Sequence, residues 1–179
     1  MRRTNTVFEK VAEKLMDVTS RDRCPECGGA MKYVGFGTQR VQQTLTEMAP
    51  ELCSLRMDAD TVSAANPHEK ILSRFEKEPI PVLIGTQMVT KGLNFENVTL
   101  VGVLLADQSL YAGDFRAGER TFSLITQVIG RSGRSERPGR AVIQTYTPGN
   151  QTIRCAAQQD YDTFYAQEIE LRRVQKCPP

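Results

Sequence analysis

The residues at 126–134, TQVIGRSGR, hold the densest chemistry in the chain: Gln127, glycines at 130 and 133, and arginines at 131 and 134. Both glycines permit a tight turn, from which Arg131 and Arg134 project together. Two convergent guanidinium groups can neutralise charge developing on a transferring phosphoryl group, an effect worth roughly a thousand- to hundred-thousand-fold in rate. The plainer reading is a solvated arginine face, and the spaced pair with its glycines and Gln127 weighs against it.

A second segment, residues 82–104, reads VLIGTQMVTKGLNFENVTLVGVL. A buried strand delivers a loop bearing Thr86, Gln87, Thr90, Lys91 and Gly92, and another strand follows at once. Hydroxyls, amides and a glycine let a phosphate backbone approach closely; the competing reading is a polar loop between strands. Between the two segments lies DFRAGER at 114–120, with Asp114, Arg116, Glu119 and Arg120. Helix capping by Asp114 with intrahelical ion pairing, Arg116 and Arg120 sharing a face beside Glu119, accounts for it as well as a functional role does. The sequence CPECGG at 24–29 has the form of a zinc knuckle, in which a turn aims the Cys24 and Cys27 thiolates at one metal. A structural zinc needs four ligands, and no other cysteine or histidine here has knuckle spacing. The pair therefore reads as a partial site, empty or completed by another chain, and His68 as a surface helix residue.

The elements that must position these groups follow from periodicity. Val7, Val11, Leu15 and Val18 predict an amphipathic helix over 4–18. Residues 20–37, rich in Gly, Cys and turn formers, form a linker. Thr38 then caps a helix that turns Val41, Leu45 and Met48 inward and stops at Pro50; CSLRM at 53–57 is a short strand that buries Cys53. Asn66, Pro67 and Glu69 supply a cap, a first-position proline and a capping-box acid ahead of Ile71, Leu72 and Phe75. Strands at 81–86 and 98–105, a helix from about Arg116 to Ile129 and a strand at 141–146 complete the pattern. Residues 150–176 are mostly helical, with Ile153, Ala157, Tyr161, Phe164 and Ile169 available for packing. Short apolar strands alternating with helices predict an α/β fold with a mainly parallel, buried sheet, whose ligands gather at the carboxyl ends of its strands.

Bulk properties set the outer bounds. With 179 residues, 40% hydrophobic and 25% charged, the chain can bury a core and is neither fibrous nor disordered. A net charge of +2 is uninformative, but between Arg116 and Arg140 stand six arginines, no lysine and only two acids, Glu119 and Glu136. Arginine suits bidentate contact with phosphate. Five cysteines in no even spacing argue against a secreted disulfide framework. No apolar run approaches the roughly 20 residues of a membrane helix, and the first 18 residues are too charged for a secretory signal, so a cytoplasmic location is expected.

Taken together, the two loop segments resemble motifs V and VI of superfamily 2 helicases. The stretches GTQMVTKGLNFENVTLVGVLLAD, DFRAGERTF, LITQVIGRSGR and RPGRAVIQTY, with GTQRV and MDADT upstream, narrow the resemblance to the PriA family of primosomal replication-restart DNA helicases (primosomal protein N′). It runs from about Arg23 to the C-terminus. The resemblance implies two RecA-like lobes that clamp ATP and Mg²⁺ and translocate 3′ to 5′ on DNA, opening forks for primosome assembly. Only the second, a three-layer RecA-like lobe, is present here. Neither a G-x-x-x-x-G-K-[ST] phosphate loop nor a D-E-x-H acidic box occurs in the sequence, so the isolated chain is not expected to hydrolyse ATP. By the same resemblance Arg131 and Arg134 are arginine fingers, Gln127 couples to the nucleotide, and Gly92 and Asn94 approach its ribose and the catalytic water. Thr86, with the Gln87, Thr90 and Lys91 loop, contacts the DNA backbone, while Asp114, Arg116, Glu119 and Arg120 link the DNA path to the ATP cleft. Many relatives in the wider superfamily carry Asp where Asn94 stands; asparagine can still bond a ribose but cannot serve as a base.

The organisation expected is an N-terminal helix of unassigned role (1–22), a partial zinc knuckle and linker (23–37), the RecA-like lobe (38–148) and a C-terminal helical segment (149–179). The expected partners are forked or single-stranded DNA, an N-terminal helicase lobe and primosome proteins. Two other readings compete: a free-standing DNA- or protein-binding module, and a lobe of another superfamily 2 translocase such as a branch-migration helicase. The knuckle and DFRAGER favour the restart helicase over the latter.

Overall fold

The computed structural model describes residues 2–16, 27–28, 37–58, 67–87, 98–130 and 139–178. The chain divides into two compact units, Met1–Leu93 and Asn94–Pro179.

In the first unit, α1 (Arg2–Met16) buries Val11, Ala12 and Leu15 and packs on α2 (Thr38–Met48), which buries Thr44 and Leu45. Position 18, expected to continue α1, lies outside the described residues. Gly37, not Thr38, is the N-cap of α2. The Thr38 hydroxyl donates instead to Asp58 Oδ2, a buried carboxylate 3.2 Å from Arg56 Nε that needs hydrogen-bond donors to offset its burial. Strands β1 (Ser54–Met57) and β2 (Val82–Gly85) pair in parallel, Ser54 opposite Val82 and Met57 opposite Gly85. The crossover between them carries α3 (Pro67–Lys77), which starts with proline at its first position as expected, since the missing N–H is one the first turn cannot use. Asn66 lies outside the described residues. Cys53 precedes the strand and is exposed, not buried: the apolar run begins one residue too late to enclose it.

In the second unit, β3 (Leu100–Val103) and β4 (Arg140–Ile143) form another parallel pair, Leu100 opposite Arg140 and Val103 opposite Ile143. Across both pairs only Met57 and Ile84 are buried among the strand residues; the others are half-buried or exposed, so the strands are less enclosed than their apolar sequence suggests. The β3 run is also shorter than its sequence. Leu105 turns to φ 54° and gives its N–H to Gln144 Oε1 at 2.7 Å, which ends the extended backbone and starts a short 3₁₀ turn, Ala106–Ser109.

Helix α4 (Ala117–Ile129) then buries Thr121, Phe122 and Ile125. The C-terminal region is two helices, α5 (Gln151–Gln158) and α6 (Tyr161–Gln175), broken where Gln159 takes φ 56° and Asp160 accepts from Thr163 N at 3.1 Å. Ile153 and Phe164 are buried as expected, whereas Ala157 and Tyr161 are exposed. Cys155 and Ala156 fill the core in their place, because the contact face of α5 follows Ile153 by three residues, not four. Phe122 and Phe164 stack with centroids 4.2 Å apart and planes within 10°. No helix among the described residues is long and apolar enough to cross a membrane. Alternating helices and strands with small parallel sheets agree with the α/β expectation.

Candidate functional site

The two units carry different parts of the chemistry. In the first, β2 ends at Gly85 and hands the chain to Thr86 and Gln87, both exposed. Thr90, Lys91, Gly92 and Asn94 lie outside the described residues. A cavity of about 510 Å³ opens beside the start of α2, with Lys14, Arg40 and Glu47 in its wall, and none of the candidate site residues lines it.

In the second unit α4 is the delivery arm for the arginine segment. Gln127 is exposed on its last turn, and Gly130 keeps helical angles, φ −65° and ψ −1°, with its N–H on Thr126 O at 3.0 Å. The helix thus holds Gln127 and the approach to position 131 on one rigid element. Arg131 and Arg134 themselves lie outside the described residues.

The DFRAGER segment starts α4, and its charges pair in a way the sequence did not indicate. Asp114 Oδ1 accepts from Arg116 N at 3.0 Å, and Oδ2 meets Arg120 Nη1 at 2.8 Å. The Arg116 amide, aided by the nearby Arg120 charge, holds the Asp114 carboxyl below its ordinary value. Asp114 thus turns the chain ahead of the helix, but the N-cap of α4 is Arg116 and no side chain caps it, so the expected capping by Asp114 is not found: its oxygens reach the Arg116 amide and the Arg120 guanidinium instead of the first-turn amides. The Arg116 guanidinium lies over the Phe115 ring, 5.1 Å from its centroid, and does not join an intrahelical ion pair.

Glu119 reaches out of the segment to Arg172 on α6, Oε2 to Nη2 at 2.8 Å. Arg172 also holds Glu168 at 2.9 Å, lies 5.5 Å from the Phe115 centroid, and its side chain is only 8% exposed. The hydrogen bond to Glu119 raises its already high pKa further, against the effect of burial. Only an i,i+4 spacing from Glu168 could have signalled this arginine in the sequence, and that spacing is common on solvated helices.

Asp107, likewise unanticipated, is 2% exposed. Its carboxylate accepts from Thr145 Oγ1 at 2.7 Å, Tyr146 N at 2.8 Å, Thr147 N at 3.1 Å and the Thr147 hydroxyl. Burial pushes its pKa up, but these donors together outweigh burial and hold it below the ordinary value. The clamp binds the end of β3 to the turn leaving β4, at the carboxyl ends of the parallel pair.

For the knuckle, Cys24 lies outside the described residues and Cys27 is an exposed free thiol. Among the described residues no group of three or more His, Cys, Asp or Glu side chains could hold a metal ion.

Comparison with known proteins reads the same segments. The family model "Helicase conserved C-terminal domain" matches residues 33–136, more than half of the chain. The replication restart protein PriA of Bacillus subtilis (strain 168) is 51% identical over 157 residues, covering 87% of this chain and 20% of the relative. The Chlamydia pneumoniae protein of that name is 46% identical over 158 residues, 87% of this chain and 21% of the relative. In Borreliella burgdorferi the likeness is 35% over 180 residues, 97% of this chain and 27% of the relative. This chain therefore spans about a fifth to a quarter of the length of these curated relatives. With the family match running from the linker through Gln127 and the arginine segment, the chain belongs to the helicase conserved C-terminal domain family.

Proposed function

We propose that this chain is the second motor lobe, RecA-like and three-layered, of an ATP-dependent 3′-to-5′ DNA helicase of replication restart. The observation that carries the reading is the span of the family match, which takes in both the Thr86–Asn94 loop and the Gln127–Arg134 segment, in a sequence with no phosphate loop. A lobe with arginine fingers but no cradle for the β- and γ-phosphates works only against a second lobe that holds them.

In that role Arg131 and Arg134 stabilise charge on the γ-phosphate, Gln127 orients toward the nucleotide from α4, and Gly92 and Asn94 approach the ribose. ATP with Mg²⁺ supplies the phosphoryl group whose cleavage drives movement, and the Mg²⁺ ligands come from the other lobe. Thr86, Gln87, Thr90 and Lys91 hold the DNA backbone. Asp114, Arg116, Glu119 and Arg120 link the DNA path to the ATP cleft. Cys24 and Cys27 form a partial zinc knuckle, two of the four ligands a structural zinc needs, which is metal-free or completed by another chain. The working partners are forked or single-stranded DNA, the N-terminal lobe and primosome proteins, in the cytoplasm.

The test combines the chain with a first lobe bearing a phosphate loop and follows DNA-stimulated ATP hydrolysis. Neither half alone turns over ATP, the pair does, and Arg131→Ala and Arg134→Ala each lower kcat by about a thousandfold. Full activity in both variants removes the finger assignment. Strand displacement on substrates with opposite overhangs reads the polarity.

A further inference from the structure

The connection from β3 to α4 spans residues 104–116 and carries the 3₁₀ turn Ala106–Ser109, which leaves residues 110–116 as the link into α4. It is fixed at both ends. At the start, Leu105 N–H bonds Gln144 and Asp107 is clamped by Thr145, Tyr146 and Thr147. At the end, Asp114 turns the chain onto α4, and Phe115 lies near two guanidinium groups, those of Arg116 and Arg172.

Between these anchors the loop reaches into water. Tyr111 is 69% exposed, Ala112 and Gly113 are exposed, and Gly113 takes φ +69° with open space where a Cβ would stand. Phe115 keeps 38% of its surface exposed. A connection tied down this firmly, yet holding the Tyr111 ring in water and leaving part of Phe115 uncovered, has given up burial that a tighter link would have kept.

The charge around the rings completes the pattern. Asp114 is engaged by Arg120 and Glu119 by Arg172, while no carboxylate among the described residues pairs with Arg116. Arg116 stands beside Phe115, close enough for its charge to act on Asp114 but without an ion-pair contact to it.

We infer that residues 111–120 form a stacking platform for single-stranded nucleic acid, with Tyr111 and Phe115 offering ring faces to bases and Arg116 facing a phosphate. Such surfaces combine aromatic rings with cations and tolerate any base, because every base has a π-face. The inference rests on the reading of this chain as a nucleic-acid motor lobe, and it adds a contact to bases where the Thr86–Lys91 loop contacts only backbone.

The experiment measures binding of the whole chain to a short fluorescent oligothymidylate and to an abasic strand of equal length, at low salt. Tyr111→Ala weakens oligothymidylate binding about tenfold or more, Tyr111→Phe keeps it, and the abasic strand does not distinguish Tyr111→Ala from the parent chain. A photoreactive 5-iodouracil in the strand crosslinks to Tyr111 or Phe115. If Tyr111→Ala binds oligothymidylate like the parent while Lys91→Ala weakens both strands, the platform is wrong and the motor reading stands. If the parent chain binds neither strand, both fall. A Tyr111→Ala defect of equal size on both strands also overturns stacking.

Discussion

Arg172 and Glu119, 53 residues apart, meet in a 2.8 Å ion pair whose cation is almost enclosed and whose carboxylate is half in solvent. The asymmetry assigns the roles: Arg172 is the fixed centre, held also by Glu168 and the Phe115 ring, and Glu119 is the arm by which the start of α4 is tied to α6.

Replacing Arg172 by Met keeps the stem's packing and removes the charge, leaving Glu168, 14% exposed, without its partner. A loss of about 1–3 kcal/mol in stability to urea is expected. Glu119→Gln, whose carboxylate is well hydrated, costs far less. Equal losses for the two variants would mean that Arg172 is not the centre of the network.

The Asp107 clamp gives a pH dependence with a definite sign. Its folded pKa is depressed below the ordinary 3.8, so its contribution is complete well above that value, fades as pH falls through it, and is gone below the folded value. Asp107→Asn should destabilise the chain by about 2 kcal/mol near neutrality, since an amide offers one acceptor oxygen where two are used. In urea titrations repeated from neutral to acid pH, the difference between parent and variant should shrink on the acid side. A difference independent of pH would contradict the clamp.

Helix α5 begins at Asn150, whose side chain accepts from Ile153 N at 3.3 Å. Asn150→Ala removes the cap and lowers stability by about 1 kcal/mol, while Asn150→Asp preserves it. Thermal melts of the three proteins check this. The effect should exceed that of a change at exposed Gln158, on the same helix.

Binding to single-stranded DNA through Lys91 and the arginines should weaken with salt. Each phosphate contact steepens the log–log slope by about 0.7. Arg116→Gln lowers the slope by about that amount, whereas Tyr111→Ala lowers affinity and leaves the slope nearly unchanged. Anisotropy titrations over a salt series separate the two.

Much of the fold was legible because it is local. Apolar spacing located α1, α2 and α4 to within about two residues, and Pro67 marked the start of α3 as sterics require, while the break between α5 and α6 went unread. What escaped is non-local. Asp107 is satisfied by donors 38 to 40 residues away, and Arg172 by Glu119. No window of a single helix or strand contains either arrangement. Local preference also misled where another partner stood nearby: Thr38 has an N-cap's chemistry, yet the buried Asp58 claims its hydroxyl. On the site side, Gln127 is exposed on the last turn of α4, and within DFRAGER Asp114 pairs with Arg120 while Glu119 reaches Arg172 on α6, a connection that neither motif nor spacing contains.

The parallel register of β3 and β4 joins Leu100 to Arg140, and two parallel strands cannot close through a hairpin. Pairing them therefore requires the chain to close the long excursion that carries α4, at an entropic cost that a hairpin would avoid. Gly130 at the end of α4 and Gly139 before β4 flank the arginine segment. One docking event therefore brings the end of α4 and the start of β4 into place together.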